Sequence, residues 1–132
     1  MSIAIVLGTS RSDGNTSALA NEFAQATGAN VFPLSDFSIL PFDYEFKNTS
    51  DDFLLLINQV IKHDIIIFAS PIYWYSPSAQ MKVFMDRLSD LLKLISHLEG
   101  SCVGKLPGCY LRAVTLCLKI VSNRYFAVPL NI

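Results

Sequence analysis

The 132-residue chain has little charge and no concentration of it. Charged residues make up 16%, the formal net charge is −1, and Lys and Arg are scattered singly. Nucleic acid or an anionic lipid surface would find no basic patch, so neither is an expected partner. No apolar run escapes interruption for the length of a bilayer span. The first apolar run has no basic segment before it and is too short for a secretory signal, so a cytoplasmic location is expected. Cysteine is sparse. Cys102, Cys109 and Cys117 are odd in number and form no CxxC pair, which argues against a disulfide framework. With His97 they match no zinc spacing, so no metal site is expected and the thiols read as incidental or core residues of a reducing compartment. Repeats, linkers and low-complexity tracts are also missing. What remains is one domain of 132 residues, 52% hydrophobic, enough for a well-buried core.

The pattern along the chain alternates strand with helix. Residues 2–7 form a short continuous apolar strand. Residues 15–27 read as a helix, with Leu19, Phe23 and Ala26 at helical spacing and Gly28 where a C-cap glycine belongs. A second strand is expected over 29–34, then a long irregular connection over 35–50. Thr49 with Asp52 fits a capping box, and Ser50 is the alternative cap. Phe53, Leu56, Ile57, Val60 and Ile61 share one face of the following helix, which ends near His63. The run at 65–69 is apolar throughout, as in a strand covered on both faces. After "SPIYWYS", Ser76 is placed to cap a helix starting at Pro77 and running through residue 95. A fourth strand is expected over 109–121. Such alternation predicts an α/β fold, a parallel sheet between two helical layers. The first strand is not followed by GxGxxG, so the flavodoxin-like order 2-1-3-4-5 fits better than the Rossmann order. That order opens a ligand crevice between the first and third strands.

Two unusual loops would flank that crevice. The first, "GTSRSDGNT" over residues 8–16, lies between a strand and a helix N-terminus, where free N–H groups and the helix dipole favour an oxyanion. Thr9, Ser10, Asn15 and Thr16 add neutral donors, Arg11 adds a cation, and Gly14 is read as permitting a backbone shape that other residues resist. Lacking GK[ST] and a cysteine nucleophile, the loop would hold a terminal phosphate and not cleave it. The alternative is a hydroxyl-rich turn that only caps the helix. In the second loop, Pro71 stiffens the chain, Ile72 gives an apolar edge, and Tyr73, Trp74 and Tyr75 offer faces to a flat ring. Its alternative is packing in a dimer interface or beneath the 35–50 connection. Together the loops match a mononucleotide with a flat tricyclic ring.

At these residues the chain resembles the NAD(P)H-dependent FMN reductases, flavodoxin-like oxidoreductases. "GTSRSDGNT" is similar to the family's phosphate loop. "SPIYWYSPSAQMKVFMDRL" is similar to its second segment, with Met81-Lys82 in place of the Leu-Lys pair and Asp86-Arg87 as the Asp-Arg pair. "LSDFSILPFD" resembles its intervening loop, and the likeness runs from residue 2 to about 92. The resemblance implies that Thr9, Ser10, Arg11, Asn15 and Thr16 bind the FMN phosphate. It implies that Pro71, Ile72, Tyr73 and Trp74 contact the ribityl chain and ring. Lys82, Asp86 and Arg87 would orient the helix or serve a homodimer interface. Hydride would pass from NAD(P)H to FMN and on to a quinone, azo compound, metal oxyanion or flavin. No catalytic side chain is demanded, and His63 and His97 read as helix-end or polar-face residues. The region after residue 93 departs from the family pattern. Residues 1–132 are thus expected to form a single FMN-binding domain, short at its C-terminus and without a fifth strand. Two alternatives stay open: an electron-transfer protein of flavodoxin type, and a truncated relative with weak or no flavin binding.

Overall fold

The computed structural model describes residues 1–91 and the backbone of Cys117–Leu118. Its centre is β1 (Ile3–Leu7), buried at four of five positions because strands pair with it on both sides. β2 (Asn30–Pro33) lies on one side and β3 (Ile65–Ala69) on the other, both parallel to it. β6 (Cys117–Leu118) pairs in parallel with β3, Cys117 opposite Ile67. The order β2-β1-β3-β6 is the 2-1-3-4 arrangement expected from the alternation of elements. At the start of the sheet, Ser2 O accepts from the backbone N–H groups of Asp64 and Ile65 at 3.0 and 3.1 Å. The Ser2 N–H in turn donates to the Asp64 carboxylate at 2.7 Å. Most of the expected 109–121 strand lies outside the described residues. So do His97, the cysteine side chains and the expected helical stretch from 92 to 95.

Alternation along β1 divides the interior in two. Ala4 and Val6 face a core with Phe68, Leu34, the helix α2 (Phe53–Val60) and the helix α3 (Ala79–Arg87). Ile5 and Leu7 face the helix α1 (Asn15–Thr27) with Ala69 and Ala20. Helices therefore cover both faces of the sheet. α1 has the bounds expected from its pattern, and Gly28 caps it at φ 72°, its N–H donating to Ala24 O at 2.8 Å. Its buried face differs from the Leu19–Phe23 stripe. Thr16, Ser17 and Ala20 are buried, while Leu19 and Phe23 stay about 40% exposed. Small side chains let this helix lie close to the sheet and leave the large ones at the rim.

Two helix starts differ from expectation. No capping box forms at α2: its N-cap is Asp52, whose side chain caps nothing in the helix. Instead Asp52 Oδ2 accepts from Ser38 N–H at 2.8 Å and Asp51 Oδ2 from Leu40 N–H at 2.9 Å. Both carboxylates bind the preceding connection, whose only regular piece is a 3₁₀ turn at Leu34–Asp36, and Asp51 Oδ1 also accepts from Phe53 N–H at the start of α2 at 3.2 Å. α3 is capped by Ser78 and not Ser76, because Ser76 and Pro77 belong to a small hairpin described below.

Phe84 is fully buried between Phe53 and Phe68, with ring centroids 5.9 and 6.0 Å away. Phe84→Ala is expected to lose about 3–5 kcal/mol of stability, since the cavity adds to the lost burial. Leu55→Ala, at a position 57% exposed, should stay within about 0.5 kcal/mol of the parent. Urea unfolding followed by circular dichroism checks both.

Candidate functional site

The loop over residues 8–16 leaves the end of β1 and enters α1. Gly14 is the N-cap of α1 and provides no side chain to close it, so no side-chain hydrogen bond caps this helix. An uncapped N-terminus points its free N–H groups at whatever anion arrives. Two contacts set the shape of the loop. Thr9 Oγ1 accepts from Arg11 N–H at 3.3 Å, and Ser17 Oγ donates to Arg11 O at 2.7 Å. Ser10, Arg11 and Asn15 are exposed and Thr9 half-exposed. Thr16 is different. It is 9% exposed and lines a narrow cleft of about 90 Å³ between α1 and the sheet, with Ile5, Ala20 and Phe23. Its backbone N–H lies in the first turn of α1.

The expected role of Gly14 needs correcting. Its φ of −82° is open to any residue, and a Cβ there would meet only ordinary contacts. Gly8 is the constrained glycine: a Cβ would come within 2.8 Å of Met81 Cβ. The absent side chain lets the loop press against the first turn of α3.

The second loop is a hairpin, β4 (Ile72–Tyr73) pairing antiparallel with β5 (Ser76–Pro77). Trp74 and Tyr75 form its two-residue tip with φ of 49° and 64°. Positive φ at both central residues matches the twist of a tight hairpin, yet it suits Asn-Gly and not two bulky aromatics. Such positions cost about 1–3 kcal/mol each and persist where neighbouring structure holds them. Trp74 is 95% exposed, Tyr75 fully exposed and Tyr73 60% exposed. Ile72 and Pro71 are half-buried at the base.

Serine hydroxyls and one amide join the two loops. Ser78 Oγ, fully buried, donates to Gly8 O at 2.6 Å and accepts from Met81 N–H at 3.2 Å. Ser70 Oγ accepts from Ser78 N–H at 2.9 Å and donates to Pro71 O at 2.9 Å. Gln80 Nε2 donates to Ser10 Oγ at 2.6 Å. Sequence reasoning missed Ser70, Ser78 and Gln80 as site residues. The helix N-cap pattern, if placed two residues later, would have found Ser78. Arg11 Nε and Nη2 each donate to an Asp13 carboxylate oxygen at 3.1 Å. These bonds, first among the causes, hold Arg11 above and Asp13 below their ordinary pKa values.

A cluster of polar contacts around Arg87 orders the connection between β2 and α2. The Arg87 side chain, 2% exposed, donates to Leu40 O and Asn48 O at 2.9 Å each and to Asp90 at 2.6 Å. It also pairs with buried Asp51 and stacks 4.7 Å from the Phe53 ring centroid. Burial drives the Asp51 carboxyl upward, but the Arg87 bond and the N–H groups of Leu40 and Phe53 outweigh it and leave the pKa lowered. Lys82 pairs with Asp86 on the exposed face of α3, beside a cavity of about 400 Å³ roofed by Phe42 and Tyr44. His63 lies at the opposite end of the sheet. Its Nδ1 is 3.2 Å from the Gln59 and Val60 carbonyls and its Nε2 is 2.8 Å from Asn30 Nδ2, the helix-end place expected for it.

The chain has matches among known proteins. The model of the NADPH-dependent FMN reductase family fits residues 1–107. The chain belongs to that family. A Bacillus subtilis (strain 168) protein named as an NAD(P)H-dependent FMN-containing oxidoreductase, YwqN, is 35% identical over 99 residues, 70% of this chain and 55% of that one. A solved structure described as the Trp repressor binding protein from Bacillus subtilis is also 35% identical. It has a TM-score of 0.54 and covers 69% of this chain and 53% of that one. A flavone reductase structure at 19% identity and TM-score 0.61 covers 91% and 43% and shares the fold. This FMN reductase family member thus spans about half the length of the relatives it matches. Among its described residues no helix is long and apolar enough to cross a membrane.

Gly8→Ala is expected to cost about 1–3 kcal/mol by overpacking against Met81, while Gly14→Ala should change stability little. Thermal unfolding of the two variants separates them. Asp51→Asn should cost about 3 kcal/mol near neutral pH by leaving buried Arg87 short of a partner. Because the folded-state pKa of Asp51 is lowered, its contribution is complete above the unfolded-state pKa and is lost as pH falls through the folded-state value. The gap between parent and variant, read by urea unfolding at several pH values, should therefore close only in strong acid.

Proposed function

We propose that the chain binds FMN across the two joined loops and works as an NAD(P)H-dependent oxidoreductase toward a small electron acceptor. Quinones, azo compounds, metal oxyanions and free flavins are the proposed acceptor classes. The observation that carries this reading is the uncapped N-terminus of α1 tied, through Ser78–Gly8 and Gln80–Ser10, to a hairpin of exposed aromatics. Family membership and the name of the Bacillus subtilis relative support the same cofactor.

The residues fit the group. A phosphomonoester needs several donors and tolerates one cation. The first turn of α1 offers N–H groups, including that of Thr16, while Thr9, Ser10 and Asn15 add side-chain donors and Arg11 the positive charge. Pro71 and Ile72 form the half-buried base against which a ribityl chain and ring edge can rest, and Tyr73 and Trp74 supply faces for the ring. When bound, FMN would supply the hydride chemistry. This chain's side chains hold and orient the cofactor. The hairpin limits water at the ring, and no side chain is assigned a proton. We read the protein as a cytoplasmic homodimer, following the family expectation, and light scattering should then return twice the 14.6 kDa chain mass.

Purified protein should take up FMN stoichiometrically, and NAD(P)H should bleach the flavin absorbance under anaerobic conditions without a partner protein. Bleaching that needs a second protein would favour an electron-transfer role instead. Arg11→Ala should weaken FMN binding about tenfold or more by removing a charge-assisted contact, with unfolding unchanged. Trp74→Ala should weaken binding and alter turnover. Equal flavin occupancy in the Arg11 variant and the parent would remove Arg11 from the phosphate site.

A further inference from the structure

We infer that Asp13 is an internal stand-in for the phosphate, occupying the Arg11 fork in the free protein and yielding it when an anion binds. This rests on the FMN site proposed above and adds a control on its affinity. The guanidinium of Arg11 meets the two Asp13 oxygens with two parallel bonds of 3.1 Å. That is the geometry in which a guanidinium also takes two phosphate oxygens, so the carboxylate and the ligand compete for the same donors. Both side chains are 74% exposed, and an exposed pair is held weakly enough to exchange.

The loop is also built so that the exchange leaves its shape intact. The backbone of Arg11 is fixed at both polar atoms, the N–H by Thr9 Oγ1 and the carbonyl by Ser17 Oγ. Neither bond involves the guanidinium, which can turn from Asp13 to a ligand without unmaking the loop. Over residues 8–16 the charged side chains are Arg11 and Asp13 alone, so they cancel. An arriving phosphate meets a neutral loop with one movable cation. Asp13 therefore lowers anion affinity and hastens release, making FMN exchangeable where an unopposed Arg11 would retain it.

The test measures FMN and riboflavin dissociation constants by flavin fluorescence, at low and high sodium chloride. The proteins are the parent, Asp13→Asn, Arg11→Ala and the double variant. All changes are on an exposed loop, and circular dichroism confirms folding. Asp13→Asn should tighten FMN about fivefold at low salt, the scale of an exposed charge pair, and steepen the loss of affinity with salt. Riboflavin, lacking the phosphate, should bind all four proteins alike. In the Arg11→Ala background the Asp13→Asn gain should shrink to less than about twofold. A gain of full size there would mean direct repulsion between Asp13 and phosphate and would overturn the stand-in role. An unchanged or weaker FMN constant in Asp13→Asn alone would overturn it too. Failure of every variant to bind FMN saturably is a separate result, which removes the flavin reading and this inference together.

Discussion

One buried hydroxyl holds the working end of this molecule together. Ser78 Oγ donates to the last carbonyl before the β1 loop bends away and accepts from the first turn of α3, while the Ser78 backbone N–H is taken by Ser70 at the end of β3. The end of β1, seventy residues away in sequence, meets the end of β3 and the start of α3 at one buried serine. A buried hydroxyl without partners is costly, and here it both donates and accepts, so the geometry is tightly specified. The absence of a side chain at Gly8 is part of the same arrangement, because a methyl group there would push away Met81 in the first turn of α3.

A second constraint acts on the long connection between β2 and α2. This segment has almost no regular structure, so few of its backbone groups satisfy one another. The guanidinium of Arg87 supplies donors to two of its carbonyls and a counter-charge to Asp51, and the carboxylates of Asp51 and Asp52 accept from two of its N–H groups. A cation buried in this way would be expensive alone; several directed bonds and the Phe53 ring offset its lost hydration. The irregular segment is ordered by ionic and polar contacts, whereas the helices around it are ordered by apolar burial.

Strong periodicity and composition made the sheet, its order and the bounds of α1 readable from sequence. The run at 65–69 and the run at 3–7 can be little else than central strands, and Gly28 marks a helix end that no other residue type would mark so plainly. The errors fell where a local signal had two solutions. Both Ser76 and Ser78 can cap a helix, and only the tertiary partners Gly8 and Ser70 favour the second. Thr49 and Asp52 satisfy a capping box on paper, but Ser38 claims the carboxylate from fourteen residues away. Gly14 looked constrained because it lies in a loop, while the real demand on Gly8 comes from a helix more than seventy residues later. The hairpin was not legible because its tip carries Trp-Tyr where turn chemistry calls for Asn-Gly. The two loops that form the candidate site were found by residue type, but Gln80 and the serines that join them were not, since nothing local distinguishes them.

That unusual tip has a practical consequence for anyone studying the protein in solution. The chain holds one tryptophan, and it sits at the outermost point of the hairpin, already bathed in solvent. Its emission is a lamp hung outside the building: melting the interior would scarcely dim it, whereas anything that settles against the tip would change its colour at once.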